Sequence, residues 1–242
     1  MGERLNFLVI GAGRGGTSLL TTCLDAHPRM EVGEELFTAE YLGGGVIDDR
    51  RYRYDIRYRV SRFFEACHKR ARKVEQPISG NKILTENIFW LQDCLPTMQQ
   101  DPHLHVKYFF NQVPGNVRVV FIIRDGRNII ASKVKRTKQP ISHALFRYKY
   151  LMFVLRYLKE NYMPLLVLKF EDLVCGPEKE LRSVCDFLDV EFDSAMLITQ
   201  GKTMPSYYEK SYFDENKAKI IAEIPDIYLP LIKDDLTFCG YS

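Results

Sequence analysis

The sequence predicts an α/β fold: a single three-layer domain with helices on both faces of a central parallel sheet. Three observations carry that expectation. Apolar runs of strand length occur at Leu5–Ile10, Val117–Ile123 and Leu165–Phe170, and strands apolar on both sides belong to parallel sheets covered on both faces. Helical patterns follow each of them, so strands and helices alternate as in βαβ units. The chain of 242 residues is long enough for one sizeable core and shows no composition break, so one domain is expected over residues 1–242.

Taken in order, Leu5–Ile10 runs into the turn Gly11-Ala12-Gly13-Arg14-Gly15-Gly16, and Thr17–Ala26 forms a short helix that stops at His27-Pro28. The stretch Met30–Leu36 is a poor strand. Gly43-Gly44-Gly45 precedes a basic, tyrosine-rich segment, Arg50–Lys73, with ten Lys/Arg and a helical pattern. Ser79–Leu84 is a short strand candidate and Val117–Ile123 a strong one. The stretch from Arg124 to Arg136 reads as a turn and helix, and Phe146–Asn161 as an amphipathic helix. After the strand Leu165–Phe170, Pro177–Val190 is a helix with proline in its first turn, where the missing N–H costs nothing. There are no repeats and no low-complexity tract.

Composition excludes several classes. A net charge of +3 does not imply nucleic acid, although it suits local capture of a small polyanion. No apolar stretch approaches the roughly 20 residues that span a bilayer. The polar start leaves no room for a signal peptide, and Asn6 stands where a myristoylation signal carries Ser or Thr. Six cysteines lie scattered without a C-x-x-C pair, which reads as reduced thiols in the cytoplasm. His103 and His105 have H-x-H spacing but no third ligand, so no metal site is expected. His27 reads as a helix-end cap or core residue, and Phe89 and Trp90 as core.

The first loop satisfies G-x-G-x-x-G, and also G-x-x-x-x-G-K-[ST] except that Thr17 stands in the lysine position. Strand, glycine turn and helix aim backbone N–H groups and the helix dipole at one point, which makes an anion site. A dinucleotide would need an acid at the end of a second strand; Glu31 and Glu34 are available but their strand is poor. A triphosphate would need the lysine. Instead Arg14 sets a guanidinium at the loop's mouth and Thr17 and Ser18 add hydroxyls, which suits a phosphosulfate better. A second group lies further on: Arg124 at a strand's C-terminal end, with Ser132 and Arg136 four apart on the next helix. Asp125 and Arg127 are expected to cap one another. A single ligand with two anionic ends would fill both pockets.

These motifs resemble the sulfotransferases that use 3′-phosphoadenosine 5′-phosphosulfate (PAPS). "GAGRGGTSLL" is similar to their 5′-phosphosulfate loop, which implies donor contacts from Arg14, Gly15, Gly16, Thr17 and Ser18. "FIIRDGRNIIAS" is similar to their 3′-phosphate site, implying Arg124, Ser132 and Arg136. "LLVLKFEDLVCGPEKELRSVCDFLDVEF" resembles the strand, E-D-L turn and helix that follow. The likeness covers about residues 5–193 and implies a P-loop-like fold. "RGGTSLLTTCLDAHPRMEVGEE" most resembles the tyrosylprotein sulfotransferases and their bacterial relatives. That likeness implies Glu35 as catalytic base and Lys82 of "GNK" near the transferred group; Glu34 is the alternate base, since adjacent carboxylates can differ in pKa through like-charge coupling. Gly15 replaces that family's serine, and the K-T-H-L-P segment of the small-molecule enzymes is absent.

The resemblance implies in-line sulfuryl transfer from PAPS to a hydroxyl or amine acceptor, leaving adenosine 3′,5′-bisphosphate, with no metal and no nucleic acid involved. A P-loop kinase-like transferase and a non-catalytic nucleotide-binding module stay open as alternatives. The insertion around residues 40–78 is expected on the acceptor side or as a lid, hinged at Gly43–Gly45. Its basic part is either a solvated helix or a lure for an anionic or aromatic acceptor. Neither the acceptor nor the oligomeric state is written in the sequence.

Overall fold

The computed structural model describes residues 5–95, 103–162, 164–197, 213 and 215–241, without the side chains of 216 and 217. The N-terminal residues 1–4 of the myristoylation comparison lie outside the described residues.

Five strands form one parallel sheet: β1 (Leu5–Gly11), β2 (Met30–Glu34), β3 (Ile78–Leu84), β4 (Arg118–Ile123) and β5 (Leu165–Lys169), in the order β2-β3-β1-β4-β5. Around it lie α1 (Thr17–Ala26), α2 (Arg50–Arg53), α3 (Ile56–Ala71), α4 (Thr85–Phe89), α5 (Leu104–Asn111), α6 (Gly126–Thr137) and α7 (Ile141–Asn161). The remaining helices are α8 (Phe170–Cys175), α9 (Pro177–Leu188), α10 (Glu215–Lys219) and α11 (Leu229–Phe238).

Side chains alternate across each strand, so β4 sends Val119, Phe121 and Ile123 into one core and Val120 and Ile122 into the other. The first core is closed by α3, α5 and α7 through Phe63, Phe109, Tyr148 and Leu151. The second is closed by α1 and α9 through Leu20, Leu24, Leu181 and Val184. Three layers follow from this two-sided burial. Burial in these cores pushes the thiols of Cys23 and Cys67 up to about 12.

The structure corrects the reading of Met30–Leu36. Met30–Glu34 is a strand, paired along its length with β3 from Met30↔Ile78 to Glu34↔Lys82. Met30 and Val32 are buried, and the Asp25 carboxylate accepts the Val32 N–H at 2.9 Å. The dinucleotide reading still fails, for a topological reason. β2 is the sheet edge, with β3 between it and β1, so it is not the strand next to β1 whose terminal acid holds the ribose in a dinucleotide fold.

Smaller differences follow from packing. Glu171-Asp172-Leu173 lies inside α8 and is no turn, and α7 begins at Ile141, before Phe146. Trp90 is 36% exposed, at the surface beside Phe89, whose ring packs on the core. Residues 40–78 span most of the β2–β3 crossover. Asp49 and Asp55 cap α2 and α3, accepting N–H groups of Arg51 and Arg57 at 2.9 Å each. One face of α3 is apolar and buried (Ile56, Val60, Phe63, Phe64). Arg59 is also buried, and donates to the carbonyls of Tyr41, Leu42, Arg53 and Trp90.

Candidate active site

The loop between β1 and α1 is held open by its backbone. Gly16 closes it at φ 99 as the residue capping α1, and a Cβ there would stand 2.4 Å from the Phe170 ring, so only glycine fits. No side chain caps α1, which leaves its first N–H groups directed to the loop's mouth. Arg14 sits at φ 74, a left-handed conformation that is unfavourable for arginine and typical of functional turns. Thr17 is buried with its methyl toward Gly11, and Ser18 is half-buried at the second helical position.

Arg14 of the first group meets Ser132 and Arg124 of the second. Arg14 Nε donates to Ser132 Oγ at 3.0 Å, and Arg124 Nη1 donates to the Arg14 carbonyl at 3.3 Å. The Arg124 guanidinium lies 4.3 Å over the Phe170 ring. Its Nε is buried and has no hydrogen-bond partner among the described residues, an orphan that calls for an acceptor. Burial, and the like charge of Arg14, lower the Arg124 pKa against the opposing pull of Glu171. The two like charges disfavour one another, and a bound anion offsets that cost. Arg136, a turn after Ser132 on α6, is exposed. Asp125 and Arg127 do cap one another, at 2.6 Å, and Asp125 accepts the Arg127 N–H at 2.9 Å.

The carboxylates lie on the other side of the loop. Glu34 is opposite Lys82 in the β2–β3 register. Lys82 Nζ reaches Glu34 Oε2 at 2.7 Å and Glu35 Oε1 at 2.8 Å, with the lysine only 3% exposed and both glutamates about a third open. Burial alone pushes the Lys82 ammonium down, but Glu34 and Glu35 outweigh it and hold its pKa above the usual lysine value. The Asn87 amide donates to Glu35 Oε2 at 3.5 Å. Glu35 and Phe37 both have positive φ, 54° and 65°, and a π-helix, Thr38–Leu42, begins directly after them. Strained backbone followed by a π-helix is a mark of functional sites. Asn81, unremarked in the sequence, pins this turn by exchanging two hydrogen bonds with the backbone of Leu36 at 3.2 and 3.0 Å.

The raised Lys82 pKa carries a sign. The pair's stabilisation is complete below the unfolded lysine value, about 10.4, and is lost as pH rises through the folded pKa. The stability gap between wild type and Lys82→Met is therefore expected to stay constant from pH 6 to 9 and shrink above about pH 10.4. Urea denaturation at several pH values checks this; a gap that closes near pH 8 would contradict the assigned pairing.

A residue pair missed in the sequence joins the two centres. The Glu86 carboxylate accepts the Gly13 N–H at 3.2 and 3.3 Å, while the next residue, Asn87, touches Glu35. Lys133 from α6 forms an ion pair with Glu86. Glu86 follows a strand's C-terminal end, where α/β sheets place ligand contacts, and Lys133 follows Ser132; position was the available signal. His27 caps α1, with Nε2 2.9 Å from the Glu191 carbonyl and Nδ1 accepting the Arg29 N–H at 3.0 Å. His105 Nε2 lies 2.8 Å from the Tyr150 hydroxyl. No group of three or more His, Cys, Asp or Glu placed to hold a metal occurs among the described residues. No described helix is long and apolar enough to cross a membrane.

Fold and site together define an α/β protein with a glycine loop and two arginines at one focus and a lysine-held carboxylate pair beside it. The chain belongs to the sulfotransferase family, whose profile matches residues 6–194. Membership implies sulfuryl transfer. Among solved structures, the sulfotransferase domain of the Synechococcus PCC 7002 olefin synthase is similar over 100% of this chain and 97% of its own, at 19% identity and a TM-score of 0.67. The sulfotransferase domain from the curacin biosynthetic pathway covers 100% and 99%, at 17% identity and 0.70. A Mycobacterium avium sulfotransferase covers 100% and 78%, at 9% identity and 0.59. At these identities the likeness is one of fold. Comparison with curated proteins finds no match.

Proposed function

We propose that the protein transfers a sulfuryl group from PAPS to a hydroxyl or amine acceptor, leaving adenosine 3′,5′-bisphosphate. The observation that carries this reading is the meeting of Arg14, Ser132 and Arg124 at one focus, with Glu35 held by Lys82 next to it. The loop N–H groups of Gly16, Thr17 and Ser18, with Arg14, receive the 5′-phosphosulfate; the Gly15 N–H instead donates to the Ala12 carbonyl at 2.9 Å and shapes the loop. Arg124, Ser132 and Arg136 receive the 3′-phosphate.

In the transfer the acceptor's oxygen or nitrogen attacks sulfur while the bond from sulfur to the bridging phosphate oxygen breaks. The electron pair leaves with the bisphosphate, and the acceptor's proton passes to Glu35. Arg14 and Lys82 face the charge that develops on the sulfonyl and leaving oxygens. The likeness of this loop to tyrosylprotein sulfotransferases supports Glu35 as base; Glu34, on the same lysine, is the alternate. No metal ion is required in this scheme.

The acceptor enters beside the crossover, residues 40–78. Arg59 ties the end of the π-helix, Arg53 and Trp90 into one wall, and Arg50, Tyr52 and Arg53 of α2 are exposed with Tyr54 just after it. That surface favours an anionic or aromatic acceptor. The six unbridged cysteines suit a reducing compartment, and we place the protein in the cytoplasm.

A thermal-shift panel of adenosine 3′,5′-bisphosphate, Mg·ATP and NAD tests the reading. At 100 times its dissociation constant the bisphosphate is expected to stabilise by about 2.7 kcal/mol, roughly 5–10 °C for a chain of this size. Stabilisation by Mg·ATP alone, with phosphoryl turnover, would transfer the assignment to a kinase-like enzyme.

A further inference from the structure

The Lys133–Glu86 pair has no part in the scheme above, yet it lies against the donor loop. Both residues are buried, 9% and 8% exposed. Glu86 accepts from Gly13 N–H, from Thr85 Oγ1 at 3.2 Å and from the Lys133 ammonium. A Cβ built on Gly13 would stand 3.3 Å from both Glu86 Oε1 and Lys133 Nζ. The ammonium therefore sits at the floor of a glycine loop whose own lysine position holds Thr17. A carboxylate of the protein meanwhile takes one of the N–H groups that such a loop offers to anions.

We infer that Lys133 supplies, from α6, the lysine the loop lacks, and that Glu86 holds it in place and competes with the ligand for it. The inference rests on the proposed donor. An ammonium has three protons to donate, so Lys133 can keep Glu86 and still take an oxygen of the donor's 5′-anion. Its neighbour Ser132 already reaches the loop through Arg14, so α6 presses two consecutive residues against it. Lys133 thus favours the 5′-anion and Glu86 opposes it. The two members of one ion pair act on ligand affinity with opposite signs, which a pair that only holds the fold together does not.

Calorimetric titration of wild type, Glu86→Gln, Lys133→Met and the double variant with two ligands decides this. The ligands are adenosine 3′,5′-bisphosphate and adenosine 3′-monophosphate, which lacks the 5′ group. Glu86→Gln is expected to tighten the bisphosphate by about 3- to 10-fold. Lys133→Met is expected to weaken it by about 10- to 100-fold, the range of a charged hydrogen bond, with the 3′-monophosphate changed less than about twofold in either. Breaking a buried pair from one side is costly to folding, so the double variant, which removes both charges, is the safeguard. It should bind the bisphosphate at least about 10-fold more weakly than Glu86→Gln alone. Equal affinity in those two variants, or weakening of both ligands alike by both single changes, overturns the inference. Wild type that binds neither ligand refutes the donor reading itself, and the inference falls with it.

Discussion

Replacing Glu35 with alanine is expected to lower sulfuryl transfer by about 10²- to 10⁴-fold, the usual contribution of a general base. Binding of adenosine 3′,5′-bisphosphate should stay within about twofold. The separation follows from the geometry. Lys82 keeps its second partner, Glu34, at 2.7 Å, so the buried ammonium is not orphaned and the fold survives. The loop and Arg124 touch other groups, so the donor site is unchanged. Glu35→Gln should be nearly as inactive, since it keeps the shape and removes the basic oxygen. Glu34→Ala is the control, with a much smaller loss expected. Steady-state rates with PAPS and a responsive acceptor check the set, and the defect should appear in kcat. Normal turnover in Glu35→Ala would move the base to Glu34.

The second large effect concerns Arg124. Arg124→Ala is expected to cost about 100-fold or more in affinity for the bisphosphate, through loss of charge-assisted hydrogen bonds worth roughly 1.5–3 kcal/mol each. The same change should leave the ligand-free protein as stable as wild type, or more so. The Arg124 Nε has no partner among the described residues, and burial with the like charge of Arg14 outweighs the attraction of Glu171, which offsets what the hydrogen bond to the Arg14 carbonyl and the Phe170 ring contribute. A residue that costs stability alone and gains it with ligand is a binding residue. Melting curves with and without bisphosphate separate the two roles. A large fall in the ligand-free melting temperature with the ligand shift intact would show a purely structural arginine.

Much of this arrangement was legible because it is local. β1, β4 and β5 announce themselves as apolar runs, and the loop and Arg124 sit at strand ends, where sequence order alone places them at one edge of a parallel sheet. What was not legible depends on partners distant in sequence. β2 looked poor because Glu31, Gly33 and Glu34 dilute its apolar positions. It is a strand because β3 pairs with it and Asp25 takes a backbone N–H that the edge leaves open. Arg59 lay hidden in a basic run that reads as solvated, although it is buried under four carbonyls. Glu86 and Lys133 meet across 47 residues, which no local pattern encodes. The positive φ of Glu35 and the π-helix after it are set by the Asn81 clamp and the Lys82 pair, so the strain that marks the site appears only in three dimensions.

The central claim is that one adenosine nucleotide bridges the glycine loop and Arg124. A crystal structure with adenosine 3′,5′-bisphosphate tests it most directly. The account predicts the 5′-phosphate on the N–H groups of Gly16 to Ser18 with Arg14, and the 3′-phosphate against Arg124 and Ser132, with the 5′ end facing Lys82 and Glu35. A nucleotide seated with both phosphates away from Arg124, or with its 5′ end turned from Glu35, would contradict it.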